Sequence, residues 1–170
     1  NGDNYSQVGT GAGPLSPNLG TLSFNGGPML TYLPNTGSAV IDAGNPAGSA
    51  TTPQRDQRGA NRVNGSPTAI IDIGAVETGF TGFFVDTTDD TVDVNPGDGV
   101  AQDASGKTSL RAAIMEANAL AGVQDIVVGP GVYLLTLSGA DENAGATGDL
   151  DVFGNVRIFG YSPYATTIDA

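Results

Sequence analysis

The chain has 170 residues, 39% of them hydrophobic, with 26 glycines and 10 prolines, a composition typical of a folded protein with many short strands and turns. Acidic residues outnumber basic ones 18 to 6, for a formal net charge of −12, so we expect no nucleic-acid partner. Cysteine and histidine are absent, which excludes thiol nucleophiles, Ser-His-Asp triads and the usual zinc sites.

Apolar runs are short throughout the sequence. None approaches the roughly 20 residues that a membrane-crossing helix needs, so we expect no membrane span in this chain. No signal peptide is recognisable. For an exported protein, we expect the signal and the anchor to lie outside these 170 residues.

The first half of the sequence alternates short apolar segments with turns. Turns are predicted at Asn25–Pro28 and at Pro34–Gly37, because Gly and Pro supply the backbone angles that turns need. A short strand is predicted at Val40–Ile41. Residues 45–69 are mostly loop, and an apolar strand broken by one acid follows at Ile70–Glu77.

Two charged pairs can form in and beneath this loop. Asp56 can pair with Arg58, or Asp72 with Arg62. We interpret such a pair as a partly buried structural salt bridge rather than as a catalytic group.

Three ordered motifs in this half resemble one known family. They read NGGPMLTYLPNTGSAVIDAG, then DQRGANRV, then DIGAVE, and they resemble the choice-of-anchor Q domain of secreted bacterial and archaeal proteins. The resemblance implies that residues 1–79 form the closing part of a right-handed parallel β-helix.

The second half begins with a strand and contains the one convincing helix. A strand is predicted at Phe83–Val85, and an acidic stretch follows it. A helix is predicted over about 109–121, with Thr108 or Ser109 as its N-cap and Gly122 as its stop. Its apolar positions recur at helical spacing and form one stripe: Leu110, Ala113, Ile114, Ala117 and Leu120.

Short strands follow this helix, and turns separate most of them. We predict five: Asp125–Val128, Gly131–Leu137, Asp149–Phe153, Val156–Phe159 and Thr166–Ile168.

This half resembles the CSLREA domain through the motifs DTTDDTVDVNPGDG, TSLRAAIMEANA and ATGDLDVFGNVRIFG. The resemblance implies that residues 80–170 are the opening part of a parallel β-helix, closed by the capping helix. Thr108 and Ala101 stand where the family carries cysteines, so the disulfide is lost. Ala112 replaces the glutamate that would form a capping box with Ser109. The expected fold is therefore all-β: right-handed parallel β-helix segments with one short capping α-helix.

The two ends of the chain form a plausible unit when joined tail to head. Thr166–Ala170 followed by Asn1–Tyr5 predicts a strand, a turn and a strand. We therefore expect either tandem copies in one polypeptide or separate copies that meet end to end.

Two groups of carboxylates are candidates for calcium, which prefers six to eight oxygen ligands. The first lies in the acidic stretch and comprises Asp86, Asp89, Asp90, Asp93 and Asp98. The second comprises Asp141, Glu142, Asp149 and Asp151. Solvated acidic loops are commoner than ion sites, and both readings stay open at this point.

These features favour a structural function without enzymatic activity or catalytic residues. We expect an extracellular or cell-surface protein that forms a fibre or a tandem-repeat filament, with copies of itself as partners joined end to end through solenoid strands. Calcium would stiffen the acidic loops.

Two alternatives come from other classes of protein. The first is a carbohydrate-binding or adhesin module for surface glycans, with an aromatic groove formed by Tyr32, Phe83, Phe84, Tyr133, Tyr161 and Tyr164. A polysaccharide lyase or glycosidase needs converging charged side chains, and the only local grouping of that kind is Arg157 with Asp149 and Asp151.

Overall fold

A computed structural model describes residues 15–44, 54–62, 70–140 and 142–170. The amino-terminal partner of the expected tail-to-head junction lies outside these residues, as does Asp141. The chain divides into two compact units. The first comprises Asn1–Asn25 and Met29–Phe80, and the second comprises Gly26–Pro28 and Thr81–Ala170.

The first unit contains one antiparallel strand pair in its described part. Strand β1 (Leu19–Ser23) pairs with β2 (Thr31–Pro34). The Asn25 side chain closes the connection, because its Nδ2 donates to the carbonyl of Thr31 at 2.8 Å. The predicted turn is therefore present, and it joins strands of opposite direction.

The second unit is built on parallel strands. Strands β3 (Phe83–Val85), β4 (Val123–Val128) and β6 (Asn155–Gly160) form one sheet in the order β3-β4-β6. Strands β5 (Gly131–Leu134) and β7 (Thr166–Asp169) form a second parallel sheet.

Helix α1 (Leu110–Ala119) begins after Ser109, whose side chain accepts the N–H of Ala112 at 2.9 Å. The predicted N-cap is therefore confirmed. The helix ends at Ala119, because the backbone of its C-cap, Leu120, is already extended, with φ −97° and ψ 148°. The predicted stop, Gly122, lies beyond this end and has a φ of +88°. No helix in the described part of the chain is long and apolar enough to cross a membrane.

The core of the second unit lies between α1 and the parallel strands. Its buried members include Phe83 and Val85 of β3, Ile114 of α1, and Ile126 and Val128 of β4. The apolar stripe predicted for the helix faces this core, since Leu110, Ala113 and Ala117 belong to the same cluster.

The predicted parallel β-helix is wrong. The described residues form seven short strands in three small sheets, two parallel and one antiparallel, together with one helix. These sheets neither close nor stack into a solenoid. Three predicted strands are absent as well: Val40–Ile41 is a turn, and Ile70–Glu77 and Asp149–Phe153 are irregular.

Side-chain carboxylates bind backbone N–H groups in or next to two of these segments, Val40–Ile41 and Ile70–Glu77. Asp72 accepts the backbone N–H of Asp42 at 2.8 Å and that of Thr78. Glu77 accepts the N–H of Asp72, and Asp56 accepts the N–H of Glu77, each at 3.0 Å. Because each of these N–H groups is bound by a side chain, it is not available to a strand ladder.

Candidate functional site

The first two carboxylates of the first acidic group bind residues of the segment between β3 and α1. Asp86 accepts the N–H of Thr108 at 2.8 Å and lies 3.9 Å from the Lys107 ammonium. Asp89 accepts the hydroxyl of Thr87 at 2.9 Å. Both carboxylates are used for local contacts in a solvated loop.

Asp90 lies at the centre of a buried charged network. Its Oδ1 accepts from Nε of Arg111 at 2.6 Å, and its Oδ2 accepts the N–H groups of Thr136 and Leu137 at 2.6 and 2.9 Å. Burial alone would raise the pKa of Asp90, but hydrogen bonds from Arg111 and these N–H groups outweigh it and hold the pKa below its usual value.

The guanidinium of Arg111 connects three segments of the second unit. Besides Asp90, it donates to the carbonyls of Gly145 at 2.7 Å and Gly148 at 2.8 Å. Calcium, which binds carboxylates and loop carbonyls, is the cation that the sequence suggests for this position. At Asp90, the cation is an arginine of the chain itself, and its side chain is fully buried.

Asp93 and Asp98 lie beside a carboxylate that the sequence analysis had not included, Glu116 of α1. Asp93 is 4% exposed and Glu116 is 0% exposed. Burial raises the pKa of Asp93, and the charges of Glu116 and Asp98 act in the same direction, against the N–H of Asn95, which lowers it. Asp98 accepts from the Asn95 side chain at 3.0 Å.

The second predicted carboxylate group is not brought together in its described members. Glu142 accepts the N–H groups of Ala144 and Thr147, both at 3.0 Å. Asp149 contributes its backbone carbonyl to Arg111 at 3.4 Å. The Oδ2 atom of Asp151 is buried without a hydrogen-bond partner in the described part of the chain.

Within residues 15–44, 54–62, 70–140 and 142–170, no three or more acidic side chains converge in an arrangement that could hold a metal ion. Calcium binding therefore stays a prediction. Arg157 does not join Asp149 and Asp151, since its Nε donates to Asp125 of the neighbouring strand at 2.6 Å.

The first unit contains a buried salt bridge of the kind predicted. Nη2 of Arg58 lies 2.8 Å from Oδ2 of Asp56, and the two side chains are 6% and 0% exposed. Arg58 also donates to the carbonyls of Asn25 at 3.0 Å and Glu77 at 2.6 Å. The Asp56–Arg58 pair is therefore confirmed, and it is more deeply buried than predicted.

The second predicted pair of this unit differs from expectation. Arg62 lies 3.5 Å from Oε2 of Glu77 rather than beside the carboxylate of Asp72, whose backbone carbonyl it contacts at 3.5 Å. Burial raises the pKa of Glu77 to about 7, and the charges of Asp72 and Asp42 add to this effect while Arg62 opposes it.

Strands β6 and β7 form edges of their sheets. In the described residues, β6 pairs only with β4, and β7 pairs only with β5. Ile158 of β6 is 41% exposed, whereas Ile126, its register partner on β4, is 0% exposed. Ile168 of β7 is 48% exposed, whereas its partner Tyr133 on β5 is 4% exposed.

Two of the six aromatic residues proposed for a glycan groove are buried. Phe83 and Tyr133 belong to the core of the second unit. Tyr32 is exposed on β2 of the first unit, and Tyr161 and Tyr164 are exposed in the connection between β6 and β7. A groove lined by all six is therefore not formed.

The buried charges of α1, Arg111 and Glu116, were not predicted from the sequence. A signal was present: the helix carries only these two charged residues, and alanine occupies four of its ten positions. A helix with so few polar groups is expected to be buried around most of its circumference. Its two charges were therefore candidates for buried contacts.

Comparison of the chain with protein-family models, curated proteins and solved structures finds no match. The resemblances to the choice-of-anchor Q and CSLREA domains therefore stay predictions.

Proposed function

We propose that this chain is a structural building block without enzymatic activity, which associates with further copies of itself by adding strands at the edges of β6 and β7. The exposed-edge geometry carries this proposal. Ile158 and Ile168 would be covered by an added strand, as Ile126 and Tyr133 are covered within the unit. An extracellular location stays a prediction.

The edge strands lack three of the features by which proteins prevent strand addition, namely proline, lysine and clustered charge. Strand β6 reads NVRIFG and strand β7 reads TTID, so each carries one charged residue and neither carries proline or lysine. Exposed apolar side chains beside an unpaired strand edge favour association over the monomeric state.

The hydrogen-bond pattern identifies which groups an added strand would use. Tyr161 donates its N–H to the carbonyl of Val128 at 3.0 Å. Because backbone groups alternate in direction along a strand, the N–H of Ile158 points away from β4. Asp169 accepts the N–H of Leu135 at 2.8 Å, so the N–H of Ile168 points away from β5.

A second copy is the occupant that we propose for these edges. A strand added parallel to β6 or β7 would continue the direction of its sheet, and the chain itself supplies short parallel strands.

The carboxylates Asp90, Asp56 and Asp72 are engaged in holding loops, which fits a structural role rather than catalysis.

The test compares the chain with Ile158→Pro and Ile168→Pro by sedimentation velocity and electron microscopy. Proline removes an outward N–H and leaves the existing ladder bonds in place. Ile158→Val is the matched control. Association of the parent chain and the control, and its loss in both proline variants, would support the proposal. A parent chain that stays monomeric at high concentration would overturn it.

Hydrogen exchange of α1 in the same samples shows whether each proline variant is folded. Repeating the microscopy with a calcium chelator separates calcium-dependent joints from joints made by strands alone. Fibres that survive chelation contradict a role for calcium in the joints.

A carbohydrate-binding module is the second candidate function. One observation favours it: Tyr164 is 98% exposed and Tyr161 is 46% exposed in one short connection, and exposed aromatic rings are suited to stacking on apolar ligand faces. Binding to a glycan array that is lost in Tyr164→Ala would support this function. Unchanged binding in that variant would exclude this surface.

A further inference from the structure

The acidic loop that follows β3 is folded against helix α1 by one carboxylate. Glu116 is completely buried, and its two oxygens accept the backbone N–H groups of Gly97 and Gly99. Both glycines have positive φ, +101° and +89°, which lets the loop turn both N–H groups toward the helix. Glu116 is therefore the anchor of residues 93–100.

A second carboxyl group stands beside this anchor without a positive partner. Asp93 is 4% exposed, and its Oδ1 accepts the N–H of Asn95 at 3.0 Å. Its Oδ2 is buried and has no hydrogen-bond donor in the described part of the chain. The charged groups that act on Asp93 are the carboxylates of Glu116 and Asp98, and Arg111, the other charged residue of α1, is engaged by Asp90.

Two buried carboxylates in contact cannot both be ionised without a large cost in free energy. Either a proton or a bound cation has to reduce their charge. The arrangement favours the proton, because both oxygens of Glu116 already accept N–H groups. In addition, no set of three or more metal-binding side chains occurs in the residues that the structure describes.

We propose that Asp93 is protonated in the folded protein and donates a hydrogen bond from Oδ2 to Glu116, so that one shared proton latches residues 93–100 onto α1. The loss of this proton places two adjacent negative charges under the loop and weakens the latch. Only the Oδ2–H bond of Asp93 is broken, and the proton passes to solvent.

The direction of the pH dependence follows from the sign of the shift. The folded protein holds the proton of Asp93 at higher pH than the unfolded chain does. Closure of the loop is therefore strongest at low pH and weakens as the pH rises through the pKa of Asp93 in the folded state.

The test measures hydrogen exchange of the Gly97 and Gly99 amides from about pH 5 to about pH 9, corrected for the intrinsic rate, with global stability followed in parallel. We expect protection of these two amides to fall about tenfold or more over this range. In Asp93→Asn, the amide Nδ2 replaces the proton donor, so protection should be kept and its pH dependence lost.

Asp98→Asn is the matched control, since it removes the outer carboxylate and leaves Asp93 and Glu116 in place. The pH dependence of Gly97 and Gly99 amide protection should be retained in this variant. Unchanged protection across the pH range in the parent chain would overturn the proposal. A rise in protection on addition of calcium at neutral pH, absent in Asp93→Asn, would also overturn it by showing that a cation occupies the position of the proton.

Discussion

The two units of the chain hold irregular backbone in different ways. In the first unit, the buried polar residues include Asp56, Arg58, Asp72 and Glu77, and their side chains bind the backbone of the loops directly. In the second unit, parallel strands and a helix share an apolar core, and the buried Asp90–Arg111 ion pair and the Glu116 carboxylate join loops to it.

The stability of the two units therefore depends on different conditions. A backbone held by carboxylates depends on their charge and hence on pH, whereas a backbone held by strand pairing and apolar contact depends on packed volume. Four predictions test this distinction, in decreasing order of the expected change in the free energy of unfolding.

Removing the buried guanidinium of the first unit should produce the largest loss in the free energy of unfolding. Arg58→Met leaves the Asp56 carboxylate buried without its cation, which costs about 3–5 kcal/mol in comparable cases. Denaturant unfolding gives the free energy, and hydrogen exchange of residues 70–77 locates the change in the first unit.

Lys107→Met is the control for this prediction. Its Nζ lies 3.9 Å from Oδ2 of Asp86, and the two side chains are 57% and 50% exposed, so the loss should stay below about 1 kcal/mol. Equal losses in the two variants would contradict the view that burial decides the value of these ion pairs.

Shortening a core side chain of α1 should give the next largest loss in the free energy of unfolding. Ile114→Ala empties a position that is 1% exposed in the core of the second unit, at a cost of about 2–5 kcal/mol. The loss should be the same at pH 5 and at pH 8, because no charge is removed. A strong pH dependence of this loss would contradict an apolar origin of the second unit's stability.

Local signals in the sequence were sufficient for much of the second unit. The apolar spacing of α1, its cap at Ser109 and the apolar strand β4 were predicted, because each depends on residues close together in the chain. The antiparallel pairing of β1 with β2 was not predicted, since a turn signal alone does not fix the direction of pairing.

The prediction of strands in the irregular segments was wrong for a physical reason. Ile70–Glu77 has the apolar composition of a strand, and the sequence gives no indication that the Asp72 and Glu77 carboxylates bind backbone N–H groups across the loop. The same applies to the candidate site. The acidic spacing around Asp90 suggested calcium, and its actual partner, Arg111, lies 21 residues away.

The first unit should become less stable as the pH rises toward neutrality. The pKa of Glu77 is raised from 4.5 to about 7 in the folded state, so between these values the folded chain keeps a proton that the unfolded chain has lost. The free energy of unfolding should fall over this window by about 3 kcal/mol at most.

Glu77→Gln tests this prediction. Glutamine cannot ionise, so the decline between about pH 4.5 and about pH 7 should largely disappear in the variant. Exchange protection of residues 70–77, followed against pH, reports on the first unit directly. A decline of equal size in the parent and the variant would assign the effect to another group.

The smallest effect should come from the cap of α1. Ser109 accepts the N–H of Ala112 at 2.9 Å and donates to the carbonyl of Thr91 at 2.5 Å, so it joins the helix to the acidic loop as well as capping it. Ser109→Ala should cost about 1 kcal/mol, and Ser109→Thr, which keeps a hydroxyl, should cost less. Because the cap is uncharged, the loss should not vary between pH 5 and pH 8. A loss confined to neutral pH would show instead that the cap acts through the Asp93–Glu116 latch, and it would make the second unit as dependent on charge as the first.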